Sequence, residues 1–544
     1  MKPGAVHYFI CFLLATVIGN LHAQEFKSNS ALASGDFYKV QVTSNGIYKI
    51  DYDFLKSLGA SPSKIDLRTF GIFGTQTGML NQANSQLEVD DLEELSFASF
   101  GLEDGKFDKA DYILFYAQGP HKEYFDVNEK RLKRQLHLYD TANYYFITVT
   151  SGSGKRTESR PSLEKSIGTI SIYDHYEFHE TESRTLIKSG RNWFGEEISL
   201  SEPLNFSYTF PGLVPHRSIE LNATLVSTTT SKSNINVSAA GRSMGELTVK
   251  GVPQALYGNK GIEASGKFRV RTDDLIEPDK VDFMFDFSDE NEGAANLDRM
   301  TIKAPRFIRL YDNQTWFESA VSLNFGTTAF QISQPQAEQL VWDISNPLNP
   351  INQEFSIQPH GKGIFRVATN DYKRFLTFRG SDFPVPTIVG KVEAQNLHAL
   401  GGADGLIITA DVLRPAAQRL ADFRSDFESL NIHVATVQDI YNEYSGGRKD
   451  ITAIRNFIRS VYNKGSQLKN VLLLGEATYS YYNPKNLVPT YQSYNSVHNV
   501  HSYASDDFYG FMDEDEGEWP ENTSANDPVH DMEIGIGRLP VESL

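Results

Sequence analysis

Gly405-Leu-Ile-Ile-Thr-Ala410 is a short apolar run, and the segments downstream of it decide the fold of the C-terminal region. Pro415 suits the first turn of a helix, and Ala416, Leu420, Phe423, Phe427 and Leu430 then recur on one helical stripe. Ile432-His-Val-Ala-Thr-Val437 reads as the next strand. Asp450 is placed to cap a helix whose inward face is Ile451, Ile454, Phe457, Ile458 and Val461. Val471-Leu-Leu-Leu474 is almost purely aliphatic, as in strands covered on both faces, and Glu533-Ile-Gly-Ile-Gly537 gives a fourth strand. This alternation implies a parallel sheet with right-handed crossovers. Sites in such sheets form at the carboxyl ends of the strands. Here those ends are Thr409-Ala410, Gln438-Asp439, Gly475-Glu476 and Arg538.

Working back toward the N-terminus, the grammar changes from helix-strand alternation to short strands and turns. Phe37-Tyr-Lys-Val-Gln-Val42 and Ile47-Tyr-Lys-Ile50 flank Ser44-Asn45-Gly46, a hairpin signature. Asp51 to Leu58 reads as a short helix closed by Gly59. Tyr112–Tyr116 and Tyr144–Val149 are further strands, so residues 24–160 are expected to form one β-rich domain. From 165 to 390 strands such as Ser218–Val226, Lys267–Arg271 and Val281–Phe287 alternate with turn residues, which predicts a sandwich-like domain. The α/β region occupies 400–544.

Lys2, the apolar run Tyr8–Leu21 and the small-residue site Leu21-His22-Ala23 have the order of a secretory signal peptide over 1–23. The protein is therefore expected to be exported, to the periplasm, outer membrane or cell surface. The only cysteine, Cys11, lies in that segment, so the mature chain must fold without disulfides. At 544 residues it is long enough for three or four domains. Its net charge of -18 argues against nucleic acid bound through a broad basic surface.

Familiar motifs mostly fail. Gly152-Ser-Gly-Lys155 lacks the upstream Gly and the Ser/Thr of a phosphate loop, and reads as a turn. His175, His179 and Glu180 lack the second His of a zinc helix and alternate like a strand. No Gly-x-Ser-x-Gly elbow occurs. The acidic segment Asp506-Asp507 with Asp513-Glu-Asp515-Glu516 gathers hard oxygen donors. It reads either as a structural calcium site using Asp506, Asp507, Asp513 and Asp515 or as a solvated acidic loop. The turn containing Asp104, Asp108 and Asp111 has the same two readings.

Several motifs in order carry a resemblance: Ile440-Tyr-Asn-Glu-Tyr-Ser-Gly-Gly-Arg-Lys-Asp450-Ile-Thr-Ala-Ile-Arg-Asn-Phe-Ile458, Val471-Leu-Leu-Leu-Gly-Glu-Ala477, Val488-Pro-Thr-Tyr491, Ser505-Asp-Asp-Phe-Tyr-Gly510 and Ile534-Gly-Ile-Gly-Arg-Leu-Pro540. Together they resemble the gingipain (C25) family of cysteine peptidases, most closely its PorU-type sortases of type IX secretion. Upstream, Ser189-Gly-Arg-Asn-Trp-Phe-Gly-Glu196 extends the resemblance. It implies a multidomain protein: β-rich N-terminal domains, then the first α/β subdomain of a caspase-like peptidase. It also implies a Cys nucleophile with a His partner, in which a thiolate attacks a peptide carbonyl and the imidazole manages the proton. No cofactor is needed for that chemistry.

A sortase of this kind would cleave C-terminal sorting domains from exported cargo and pass the cargo to a lipopolysaccharide acceptor. Its partners would be that cargo and other attachment-complex proteins at the outer membrane. The family's His lies in a Gly-His-Gly-like turn, with the Cys further on, both beyond the Gly-Arg-Leu-Pro strand. Neither occurs before Leu544, so no catalytic residue is assigned, and this stretch alone is expected to be inactive. His498, His501 and His530 read as loop histidines. Glu476 and Ser480 stand where the family more often has Asp. The alternative reading is a non-enzymatic surface scaffold that kept a peptidase fold. A carbohydrate-binding sandwich within 165–390 is a third, with only Trp193 and Trp316 as a platform.

Overall fold

The computed structural model describes residues 26–102, 104–287, 294–465, 467–519 and 530–543. The expected signal peptide at 1–23, with Cys11, lies outside them. Among the described residues no helix is long and apolar enough to cross a membrane, which says nothing of a β-barrel.

Two sheets build the first unit. In one, Phe37–Val42 runs between Asn143–Thr148 and Thr387–Val392, and Gly71–Gly74 and Glu93–Leu95 complete it. In the other, Gly46–Asp51, Tyr112–Ala117 and Ala98–Phe100 lie side by side. The Asn45-Gly46 turn therefore does not make the expected hairpin, because its two flanking strands enter different sheets. Val40, Val42, Tyr48 and Ile50 from both strands meet in one core between the sheets, and that burial overrides the local pairing signal. Asn45 instead accepts from the amide of Gly119 at 2.8 Å. The short helix forms over Tyr52–Ser57, with Asp51 accepting from the Phe54 amide at 3.0 Å as its cap.

The stretch 165–390 holds two pairs of sheets, one nested inside the other. The inner pair sets Ile172–Glu180, Ala294–Phe307, Ser218–Ser227 and Ile262–Arg271 against Leu204–Thr209, Lys280–Phe287, Ser233–Ala239 and Arg242–Val249. The outer pair uses Gly168–Ile170 before this insertion, then strands from Gln314–Glu318 onward, around Phe317, Phe330, Phe365 and Phe375. Trp342, Leu376 and Phe378 of the outer pair in turn pack on Ile47, Leu114 and Tyr116 of the first unit. The strand Thr387–Val392 then returns to complete the first sheet.

Beyond it lies the expected parallel sheet, in the order Ile432–Thr436, Gly405–Thr409, Asn470–Leu474, Gly535–Leu539. Leu406, Val471 and Ile536 share one register position. Helices Val437–Tyr444 and Ile451–Asn463 cover one face, and Arg414–Glu428 covers the other. The predicted inward residues of the second of these helices are all buried. The predicted stripe on Arg414–Glu428 is met in part: Ala416 and Leu420 pack beside Leu413, Ala417 and Ala421 on the sheet, while Phe423 and Phe427 are 60% and 76% exposed. Small alanines let the helix axis approach the strands closely, whereas two phenylalanines would hold it away.

Candidate active site

At the carboxyl ends of the parallel strands, side chains are engaged mainly in holding loops. Thr409 donates from its hydroxyl to the Leu474 carbonyl at 2.8 Å. Thr436 caps the helix Val437–Tyr444 by accepting from the Asp439 amide at 3.2 Å, and Arg414 pairs with the Asp439 carboxylate. Past the third strand, Gly475 takes a φ of +151°, with Val488 and Leu487 side chains about it. The Gly475 and Glu476 amides donate to the carbonyls of Leu539 and Val541 at 3.0 and 3.1 Å, which extends the pairing beyond the strands.

Arg538 is the anchor of this rim. Its guanidinium donates to both carboxylate oxygens of Asp506 at 2.7 Å, and to the carbonyls of Gly475 and Val488 at 2.9 and 2.8 Å. The Tyr509 hydroxyl donates to the Pro489 carbonyl at 2.5 Å. One planar fork thus ties three loop segments to the fourth strand, a geometry that a lysine cannot reproduce. Next to it, the exposed carboxyls of Glu476 and Glu542 share a hydrogen bond that raises the former. Lys485, 2.8 Å from Glu542, holds the latter below the usual range.

The four acids considered for calcium are not gathered. Asp506 is committed to Arg538, and Asp507 begins the short 3-10 turn Asp507–Gly510. Asp513 and Asp515 are exposed, the former giving its backbone carbonyl to Asn84 Nδ2 at 2.7 Å. Among the described residues no three of His, Cys, Asp and Glu sit together as a metal-holding group. Asp108 and Asp111 serve a local turn, in which the Asp108 amide donates to the Asp111 carboxylate at 2.6 Å. His175 and His179 lie on the strand Ile172–Glu180, where His179 meets Glu196 at 2.9 Å. His498 and His501 are loop residues with rings 4.3 Å apart, and His530 lies 3.8 Å from Glu516.

Composition did not point to the buried cations that bolt this domain to the first unit. Lys39 donates to Asn442 Oδ1 and the Gly447 carbonyl at 3.0 and 2.9 Å, and burial lowers its pKa to about 7. Arg448 donates to Asn143, Thr75 and the Gln76 carbonyl. Arg455 and Arg459, four residues apart on one helix, donate to carbonyls of Gly517, Met512, Gln82 and Asn84. The legible signal is the pair Arg455 and Arg459, four residues apart beside the apolar Ile451, Ile454, Phe457, Ile458 and Val461. His398 is fully buried between Glu443 at 2.6 Å and the Asp90 carbonyl at 2.8 Å.

A cleft of about 870 Å³ opens where three units meet. The hairpin Lys122–Gln135, the strand end Phe178–Glu180, the mid-strand segment Arg299–Thr301, and Asp450 and Tyr494 of the α/β domain line it. Beside it, the segment Ser189–Trp193 of the inner sandwich lies on the loop 491–503. The Arg191 amide donates to the Ser493 carbonyl at 2.9 Å, and the Asn192 amide donates to Ser496 Oγ at 2.9 Å.

Residues 398–544, the segment that holds this sheet and its Arg538 rim, match the family model of peptidase family C25. Over 95% of its length the chain shares the fold of dimeric latent PorU from Porphyromonas gingivalis, with a TM-score of 0.81 and 21% identity. The chain spans 49% of that protein. The CBM36-1 domain of a xylanase from the hindgut metagenome of Trinervitermes trinervoides aligns with 24% of this chain and 96% of its own, at 12% identity and a TM-score of 0.16, too low to carry an argument. No curated protein matches the sequence.

Proposed function

We propose that this chain is the N-terminal part of a type IX secretion sortase, a cysteine endopeptidase that removes C-terminal sorting domains from exported cargo. The observation that carries the reading is the coincidence of a C25 segment at 398–544 with a PorU-like fold that runs through the β-rich units as well. A peptidase segment alone would fit any gingipain; the shared framework favours the sortase. In this reading the described strand ends and the Arg538 staple form the fixed floor of the catalytic domain. The family's His and Cys come from sequence beyond Leu544, and a thiolate there attacks the cargo carbonyl. The acyl group then passes to an amine on a cell-surface lipopolysaccharide. Export by the segment 1–23 and association with attachment-complex proteins at the outer membrane belong to the same proposal.

The test compares residues 24–544 with a longer polypeptide that adds the family's His and Cys. The longer form is expected to cleave a cargo carrying a sorting domain and to lose that activity to a thiol alkylating reagent, while 24–544 leaves the cargo intact. A longer form with its thiol free and no cleavage overturns the proposal and favours a surface scaffold. Cleavage by 24–544 itself would overturn the assignment of the nucleophile.

A further inference from the structure

The cleft of about 870 Å³ has the size of a ligand site, and it lies between units, where such sites concentrate. Most charged groups on its wall are committed to neighbours. Lys133 pairs with Asp126 at 2.7 Å, Arg131 with Glu129 at 2.6 Å and Lys122 with Glu88 at 3.1 Å. Arg299 pairs with Asp298, and Arg191 donates to the Gln492 carbonyl. Asp450 accepts from the Leu80 and Thr452 amides, and Glu182 accepts from the Trp193 amide. Arg134 is different. Its guanidinium makes no hydrogen bond or ion pair among the described residues, and its Nε is fully buried with no acceptor. Nε of Arg131, on the same strand of the hairpin, is a second buried donor left open. Glu180, also on the cleft wall, faces Arg134 but does not touch it.

We propose that this cleft binds a segment of polypeptide by a carboxylate, which the Arg134 guanidinium holds. A buried guanidinium nitrogen without an acceptor is costly, and a carboxylate supplies two acceptor oxygens in the plane of the fork. The rest of the wall suits a chain better than a small acid. Tyr124, Leu136, Leu138 and Phe178 offer apolar surface. Gln82, Gln135 and Asn192 carry amide side chains, which both donate and accept as peptide groups do. Burial raises the Glu180 carboxyl to about 7, so in mild acid it stands beside Arg134 as a neutral donor and leaves the guanidinium to the ligand. The carboxylate is either the end of a chain or an Asp or Glu side chain, which present the same oxygens. Capture of this kind needs no peptidase activity; on the sortase reading the bound segment is cargo.

The test passes three pools of random hexapeptides over immobilised residues 24–544 at about pH 6, where peptide carboxylates are ionised. The first pool lacks Asp and Glu and ends in a free carboxylate. The second is the same pool amidated, and the third is amidated but contains one Asp or Glu. Retention of the first or the third over the second by at least about tenfold is expected, and it is expected to vanish in Arg134→Gln. Retention of the first identifies a chain end as the ligand, and retention of the third an acidic side chain. Lys130→Gln, at the hairpin turn outside the cleft wall, removes the same charge and is expected to leave retention within about twofold. Equal retention of all three pools overturns the proposal. Retention that survives Arg134→Gln, or that falls as far in Lys130→Gln, overturns the assignment to Arg134.

Discussion

His398 offers a quantitative test of how the α/β domain is held to the first unit. It packs flat on Tyr444, with ring centroids 4.4 Å apart, and both ring nitrogens have acceptors. Nδ1–H donates to Glu443, and Nε2–H donates to the Asp90 carbonyl, so the site is built for an imidazolium. Burial alone would lower its pKa; hydrogen bonds to Asp90 and Glu443, with the nearby Asp91 carboxylate, outweigh burial and bring it from 6.5 to about 9. A raised folded-state pKa contributes stability that is complete below about pH 6.5 and lost as pH rises through about 9. The linkage gives roughly 3.4 kcal/mol in mild acid, ~2.5 kcal/mol near pH 7, and almost nothing by pH 10. Other groups titrate over the same range; Lys39, held low by burial, works in the opposite sense and gains stability as pH rises. The useful quantity is thus the difference between wild type and His398→Gln. Urea unfolding of the two proteins should show a gap of about 3 kcal/mol near pH 6 that narrows by ~2 kcal/mol or more near pH 10. NMR of the ring should show an imidazolium still present at about pH 8. A gap that stays constant with pH, or a ring that titrates near its ordinary value, would refute the charged-latch argument.

Arg538→Lys should cost about 2–3 kcal/mol in urea unfolding, because the Asp506 carboxylate and two loop carbonyls lose a planar partner in a partly buried place; a cost below ~0.5 kcal/mol would show the staple to be ornamental. Phe423→Ser combined with Phe427→Ser should change stability by no more than about 0.5 kcal/mol, since both rings face solvent. Ala421→Leu, on the face that meets the sheet, should cost about 1–3 kcal/mol by overpacking, and the reverse ranking would restore the stripe read from sequence. Calcium or chelator at millimolar levels should leave the melting temperature within ~1 °C, because Asp506 is already paired; a rise of several degrees would reveal a site that this geometry does not show.

The parallel sheet was legible because its strands are nearly pure aliphatic runs and its helix Ile451–Asn463 is apolar on its inward face. Both signals come from residues that neighbour each other in sequence. What misled were places where distant chain decides. Asn45-Gly46 carries a hairpin pair, yet its two strands are worth more in separate sheets that share Val40, Tyr48 and Ile50 as one core. On the helix Arg414–Glu428, hydrophobicity favoured phenylalanines for the interior, but closeness to the sheet favoured alanines. The nesting of the two sandwiches was invisible for the same reason. Gly168–Ile170 pairs with Gly326–Ile332 across the whole inner unit, and no local pattern records a pairing over that distance. The Arg538 rim was half legible: the motif was evident, but the role of its arginine required knowing that Gly475, Val488 and Asp506 converge on it.

That convergence has a consequence for how a site at this sheet can be kept in shape. The rim loops have little regular structure of their own, and the pieces that fix them come from elsewhere. Arg455 and Arg459 hold the carbonyls of Gly517 and Met512 on one side of the acidic loop while grasping Gln82 and Asn84 of the first unit on the other. Arg191 of the inner sandwich takes the Gln492 and Ser493 carbonyls. Buried guanidinium groups bound mainly to carbonyls are costly to desolvate and become tolerable only if every acceptor stays in place. Removing the first unit would strip acceptors from Arg455 and Arg459, and removing the inner sandwich would take Arg191 from the loop it holds. The α/β domain is accordingly expected to lose its rim order, not only some stability, when it is separated from the framework. That coupling is a physical reason for the PorU-like likeness to run through the whole described chain instead of stopping at residue 398.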